Sequence, residues 1–359
     1  DDARSMSHAW LITGPPGSGR SVAARAFAAA LQCTGETVGC GQCAGCRTTM
    51  GRTNADVVFA ATETSIINVE TARSLVLQAQ SSPSQGLWRV IVVEDADRLG
   101  ESGANALLKA IEEPPEHTVW LLCAPSPEDM IATIRSRCRH LGLRIPTASA
   151  VADLLVREGV ATPEVALEAA RAAQSHIGLA RALARDPQMR ERRRAIITAP
   201  ASVRSVGEAV MAADRLLETA KAQADAQVSE RNAREKAELM RQLGMDEGES
   251  ATKASRTMIR QLEEDQKRRS KRALTDAIDR ALIDLLAIYR DVLMVQVGGD
   301  GELINTDLSD LVHEIAQDST PRQTLARVDH IETARKRLVS NGNPLLVLED
   351  MAISLRPQA

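Results

Sequence analysis

The chain has 359 residues, enough for two or three domains, and its 44% hydrophobic and 26% charged residues supply both a packed core and a solvated surface. A formal net charge of -4 excludes bulk attraction to nucleic acid, so any such contact needs a local basic face or a partner. No apolar run is long enough to span a bilayer and no charged-then-apolar leader opens the chain, so the expectation is a soluble, cytoplasmic protein with no membrane partner.

The first element, HAWLITG (8–14), reads as a short apolar strand that runs into GPPGSGRS (14–21). SVAARAFAAALQC (21–33) has Ala, Phe and Leu at helical spacing and is predicted to be the helix that follows. INVETARSLVLQAQ (67–80) predicts a second helix, and RVIVVEDAD (89–97) a strand buried on both faces that ends in acids. SGANALLKAIEEPP (102–115) is a helix stopped by two prolines, and TVWLLCAP (118–125) another buried strand. Strands alternating with helices predict an α/β domain with a parallel sheet over 1–146. Five of the six aromatic residues (Trp10, Phe27, Phe59, Trp88 and Trp120, but not Tyr289) fall in this part, which places the mixed sheet core here.

The rest reads as helical. A short all-helical part covers 147–198, with segments at ASAVADLLVREG, TPEVALEAARAA and HIGLARALARD. A second helical part covers 199–359 and holds a charge-dense stretch at about 221–272. Apolar periodicity vanishes between Met240 and Ile259, so GMDEGES (244–250) is expected to be mobile, with order returning at TDAIDRALIDLLAIYRDVLMVQVG (275–298). No internal repeat of fixed period is present.

Two constellations carry chemistry. Cys33, Cys40, Cys43 and Cys46 form C-x6-C-x2-C-x2-C with Gly39, Gly41 and Gly45 between them. Four thiolates at this spacing suit a tetrahedral zinc with a closed shell, hence a structural ion and not a catalytic one. The second constellation is the glycine loop. GPPGSGRS is G-x-x-x-x-G-K-[ST] with Arg20 in place of lysine. Gly14, Gly17 and Gly19 keep the backbone that cradles phosphates at a helix N-terminus, and Ser21 keeps a hydroxyl for Mg²⁺. Arg20 keeps the charge but replaces a compact ammonium with a wide planar fork. After the acidic strand, Glu94 precedes Asp95, the reverse of the order that puts Asp on the metal and Glu on the attacking water. ATP and Mg²⁺ binding is therefore compatible with the loop, whereas hydrolysis is not expected.

The glycine-loop strand, four cysteines after the first helix, NALLKAIEEPP (105–115) and SRC (136–138) together resemble the clamp-loader branch of the AAA+ family. ARKRLVSNGNPLLVLEDMAISL (334–355) is similar to the last helices of its delta-prime type in bacterial DNA polymerase III. The resemblance covers nearly the whole chain except about 221–272, and implies an N-terminal helix and loop before the first strand that lie outside this sequence. It implies an AAA+ P-loop domain with an inserted zinc module, a small helical lid at 147–198 and an all-α collar domain at 199–359. It further implies that Arg137 acts in trans as an arginine finger on a neighbour's ATP, and that Arg181 is the lid's sensor arginine. The sensor position on the last buried strand carries Ala124 and Pro125, with no polar group. The implied partners are tau/gamma and delta subunits in a hetero-pentamer and, indirectly, the sliding clamp and primer–template DNA. The chain would then be a non-hydrolysing subunit of a DNA-directed DNA polymerase holoenzyme. Two rival readings are an ATP-hydrolysing motor subunit of the same family and a zinc-dependent nucleic-acid-binding protein. The basic runs RERRR (190–194) and QKRRSKR (266–272) have no interleaved aromatics for base stacking, and a solvated helix face is their commoner use.

Overall fold

The computed structural model describes residues 6–60, 66–243 and 253–356. They fall into two compact units, one of residues 1–147 with 175–178, the other of 148–174 with 179–359.

The first unit is built on five parallel strands: β1 (Ala9–Thr13), β2 (Val57–Ala60), β3 (Arg89–Val93), β4 (Thr118–Ala124) and β5 (Arg139–Gly142), in the order β2-β3-β4-β1-β5. The helices between them are α1 (Arg20–Leu31), α2 (Ala44–Met50), α3 (Val69–Ala79), α4 (Glu101–Glu112) and α5 (Ala132–Arg135). Alternation along the central strands feeds two cores. Leu11, Ile91, Trp120 and Leu122 join Leu75, Leu107 and Ile111 of α3 and α4 on one face. Ile12, Val90, Val92 and Leu121 join Ala24 and Ala28 of α1 on the other. Successive side chains point to opposite faces, so a strand covered on both sides must be apolar throughout. Every residue of β4 is buried, which is why TVWLLCAP reads as an unbroken apolar run. The chain leaves β1 toward one edge of the sheet and leaves β4 toward the other. Their C-terminal ends therefore flank a crevice where the topology switches, the usual place for a ligand in such sheets.

The second unit is helical: α6 (Ala148–Arg157), α7 (Pro163–Ala172), α8 (Ile177–Arg185), α9 (Pro187–Ser202), α10 (Val206–Gln242), α11 (Lys253–Gln296), α12 (Ser309–Gln317), α13 (Pro321–Val339) and α14 (Pro344–Leu355). One core joins α9 to α14 through Ile197, Leu217, Leu282, Ile288, Ile331 and Leu348. Helix α9 runs unbroken across residues 198 and 199, where the sequence suggested a lid-to-collar boundary. Ser205 and Glu208 close a reciprocal capping box that starts α10, and Thr320 with Gln323 does the same for α13.

The charged stretch differs from expectation. Order does not wait for residue 275: α10 reaches Gln242 and α11 starts at Lys253. Apolar periodicity is weak here because few side chains are buried, and the helices are supported by charge instead. Arg231–Glu235 at 2.8 Å and Arg260–Glu264 at 3.1 Å are i,i+4 pairs, each worth about 0.3–0.5 kcal/mol. Across the two helices, Arg269 donates to Glu235 at 2.8 Å and to Asn232 at 2.7 Å. GMDEGES (244–250) lies outside the described residues.

Candidate functional site

The glycine loop sits at the crevice. The Gly14 N–H donates to the Pro125 carbonyl at 3.1 Å and ties the loop to the end of β4. Gly17 and Gly19 have φ of 85° and 88°, left-handed values that exclude most side chains. Gly19 caps α1, so Arg20 and Ser21 open the helix with their N–H groups toward the loop. The Arg20 guanidinium turns back on its own loop, donating from Nη1 to the Gly14 carbonyl at 2.5 Å.

Glu94 and Asp95 follow β3, as expected, but Glu94 has a counter-ion that sequence reasoning missed. Arg52 donates from Nη2 to Glu94 Oε1 at 2.5 Å, with its guanidinium carbon 5.2 Å from the Phe59 ring centroid. Arg52 follows α2 and has φ of 61°, so the backbone leaving the cysteine module carries it to the end of β3. Asp95 begins a 3₁₀ turn over Ala96–Arg98. Asp97 is half-buried, and burial raises its carboxyl above the ordinary range, aided by Asp95 and opposed by Arg98 and Arg20. Ala124 is buried at the end of β4 and brings no hydroxyl to the crevice.

The four cysteines converge. Their sulfurs all lie within 4.8 Å of one another. Tetrahedral Zn–S bonds of ~2.3 Å require sulfurs roughly 3.8 Å apart, and Cys33 and Cys43 are 3.9 Å apart. Main-chain N–H groups point at the sulfurs: Gly35 at Cys33, Gln42 and Cys43 at Cys40, and Cys46 at Cys43. Such donation favours thiolate. It lowers the Cys33 thiol and brings Cys43 down to about 5, while burial pushes Cys46 up to about 12. A bound dication reverses that last effect by holding the thiolate directly. The donor set therefore fits a four-coordinate ion such as zinc. Cys123 and Cys138 stand apart, and burial pushes both thiols up to about 12.

Arg137 lies on the surface after α5. It donates from Nε to Glu112 and from Nη1 to the Thr133 carbonyl at 2.7 Å and to Ser136 Oγ at 3.2 Å. Arg181 belongs to the second unit, where Glu158 grips it in a two-pronged pair with both bonds at 2.9 Å. The basic run 190–194 is partly consumed inside that unit. Arg190 caps α8 through the Leu183 carbonyl at 2.6 Å, and buried Arg193 pairs with Asp284 at 3.0 Å. In the run 266–272, Arg269 is turned toward α10.

The family described as DNA polymerase III, delta subunit matches residues 2–147. The DNA polymerase III subunit delta' of Pseudomonas aeruginosa is 34% identical over 166 residues, 45% of this chain and 51% of that protein. Over its first 147 residues the chain is similar to subunits of DNA polymerase III. A DNA polymerase III subunit gamma/tau of Mycobacterium tuberculosis is 35% identical over 159 residues, 44% of this chain and 28% of that protein. The chain thus spans between 28% and 51% of the length of those curated relatives. A solved DNA polymerase III, gamma subunit-related protein from Thermotoga maritima aligns over 99% of this chain and 96% of its own at 16% identity, with a TM-score of 0.46, too loose a likeness to argue from. No helix among the described residues is long and apolar enough to cross a membrane.

Proposed function

We propose that the chain is a delta-prime-like clamp-loader subunit whose glycine loop can still hold phosphates but does not hydrolyse ATP, and which lends Arg137 to the ATP of a neighbouring subunit. One asymmetry carries this reading. The chain's own loop has its cation turned on Gly14 and the acid after β3 tied to Arg52, while Arg137 stands at the surface. A glutamate held by an arginine is a poor base for an attacking water, whereas a guanidinium at an interface can stabilise charge on a transferring phosphoryl group. In this reading the neighbours are gamma/tau and delta subunits in a hetero-pentamer. The complex acts on a sliding clamp and primer–template DNA in the cytoplasm, as part of a DNA polymerase holoenzyme. The helices at 147–198 serve as the lid, with Arg181 as its sensor arginine, and those at 199–359 serve as the collar. Gly14, Gly17, Gly19, Arg20 and Ser21 would hold any nucleotide phosphates, with Asp95 beside them.

Three measurements test the parts. Purified, reduced protein should carry about one zinc per chain; a folded sample that metal analysis finds empty removes the zinc module. Titration with ATP and Mg²⁺ should show tighter binding for Arg20→Lys than for the wild type, because lysine frees the Gly14 carbonyl and reaches phosphate as a point charge. Phosphate release should stay at background in both, since the pairing of Glu94 with Arg52 is untouched. Robust turnover by the unaltered chain, lost on Glu94→Gln, would establish the motor reading instead.

A further inference from the structure

We propose that Glu112 is a positioning residue for Arg137, fixing the guanidinium so that its Nη2 edge faces outward for a phosphate oxygen of the neighbouring subunit. The inference rests on the reading of Arg137 as a residue that acts in trans.

The donor count leads to it. A guanidinium has five N–H groups: one on Nε and two on each Nη. Glu112 takes the Nε donor, and the Thr133 carbonyl and Ser136 Oγ take the two on Nη1. No acceptor among the described residues takes Nη2. The three bonds define the plane of the group and leave one edge unoccupied. Nη2 keeps its two N–H donors, which diverge in the plane of the group and can each meet a phosphate oxygen through a charge-assisted bond.

The frame beneath is rigid. Ile111, the residue before Glu112, and Ile134, three before Arg137, are buried in the same core with Leu107. Pro114 and Pro115 end α4 just beyond Glu112, so the carboxylate sits on a fixed helix end. NALLKAIEEPP and SRC, far apart in sequence, thus meet at one ion pair. Stability does not explain the contact. The two side chains are 37% and 42% exposed, and exposed pairs contribute little to folding. Holding a long side chain in one orientation matters instead for a group that must meet charge as it develops, where a 1 Å displacement can cost on the order of 10²-fold in rate.

The test uses the whole chain assembled with gamma/tau and delta subunits, and compares Glu112→Ala, Glu112→Gln, Arg137→Ala and the double variant Glu112→Ala/Arg137→Ala. Glu112→Ala should lower kcat for DNA-stimulated ATP turnover about 10-fold at the affected site and leave KM for ATP unchanged, because Glu112 does not reach the nucleotide. Glu112→Gln keeps an acceptor oxygen at the same reach and should restore most of that loss. The double variant should be no slower than Arg137→Ala alone, since Glu112 acts only through the arginine. If Arg137→Ala itself has no effect, the in-trans reading fails. If Arg137→Ala slows turnover but Glu112→Ala does not, or raises it, the positioning role is overturned while the in-trans reading stands. Additive losses in the double variant, or failure of Glu112→Ala to assemble, would make Glu112 an independent interface residue and overturn it as well.

Discussion

Arg137→Ala should leave the chain folded and able to assemble while cutting ATP turnover at one site of the complex on the order of 10³-fold. The folding half follows from exposure: Arg137 and Glu112 are paired at the surface, and removing such a pair costs about 0–1 kcal/mol. A thermal melt should therefore move little. The rate half follows from charge. Non-bridging oxygens of a transferring phosphoryl group gain or shift negative charge in the transition state, and a guanidinium supplied from the neighbouring chain offsets it without helping the ground state equally. In this reading the whole complex loses less than the single site, because its other sites do not depend on Arg137. Phosphate release by the assembled variant on primed DNA is the measurement. Unchanged turnover with intact assembly would remove Arg137 from the chemistry.

The core of the α/β unit was legible because its strands are buried on both faces. β1, β3 and β4 fill two cores at once, so AWLIT, RVIVV and TVWLLCA have almost no polar position to break the run. The two edge strands were not. VVFA in β2 is four residues long and only partly buried, and RHLG in β5 is exposed throughout yet pairs with β1 through its main chain. A backbone ladder leaves no mark on side-chain pattern when neither face is covered. The same limit hid the far half of α10 and the early turns of α11, where Arg–Glu pairs replace apolar periodicity.

The sites divide along similar lines. The cysteines and the glycine loop are local in sequence, and local chemistry has a spacing that can be read. Arg52 stands 42 residues from Glu94 and belongs to no motif. Only the path of the chain out of the cysteine module, through a left-handed φ of 61°, brings it to the acid. Glu112 was in plain view inside NALLKAIEEPP, but its use depends on α5 lying beside the end of α4. The tie between Arg52 and Glu94 also links the cysteine module to the crevice: whatever orders α2 also sets the backbone that delivers the counter-ion to Glu94.

Arg193→Met should be the most destabilising single change in the helical unit, by about 3–5 kcal/mol near pH 8. Arg193 and Asp284 are only 9% and 7% exposed, and join α9 to α11 at 3.0 Å. Arg193 also donates to Asn305 at 2.5 Å, and Asn305 in turn donates to buried Asp291 at 2.9 Å. Methionine fills much of the volume but takes away the hydrogen-bonded cation of the buried Asp284 carboxylate, leaving Arg280 as the remaining positive charge that acts on it. Burial already raises the Asp284 carboxyl above its ordinary range, with Arg193 pulling the other way. Removing Arg193 lets it rise further. A group whose pKa is raised on folding favours the folded state where it is protonated, and that contribution is lost as pH rises through the folded value. The penalty of Arg193→Met should therefore be small near pH 4, close to the unfolded aspartate value of about 3.9, and grow steadily toward pH 8. Adding Asp284→Leu should recover most of the loss, because an apolar pair avoids the buried charge altogether. Urea midpoints for the wild type, the single and the double variant at pH 5 and pH 8 decide the matter. A loss below about 1 kcal/mol, or one that does not change with pH, would mean that water reaches Asp284 and that the pair does not hold α9 to α11.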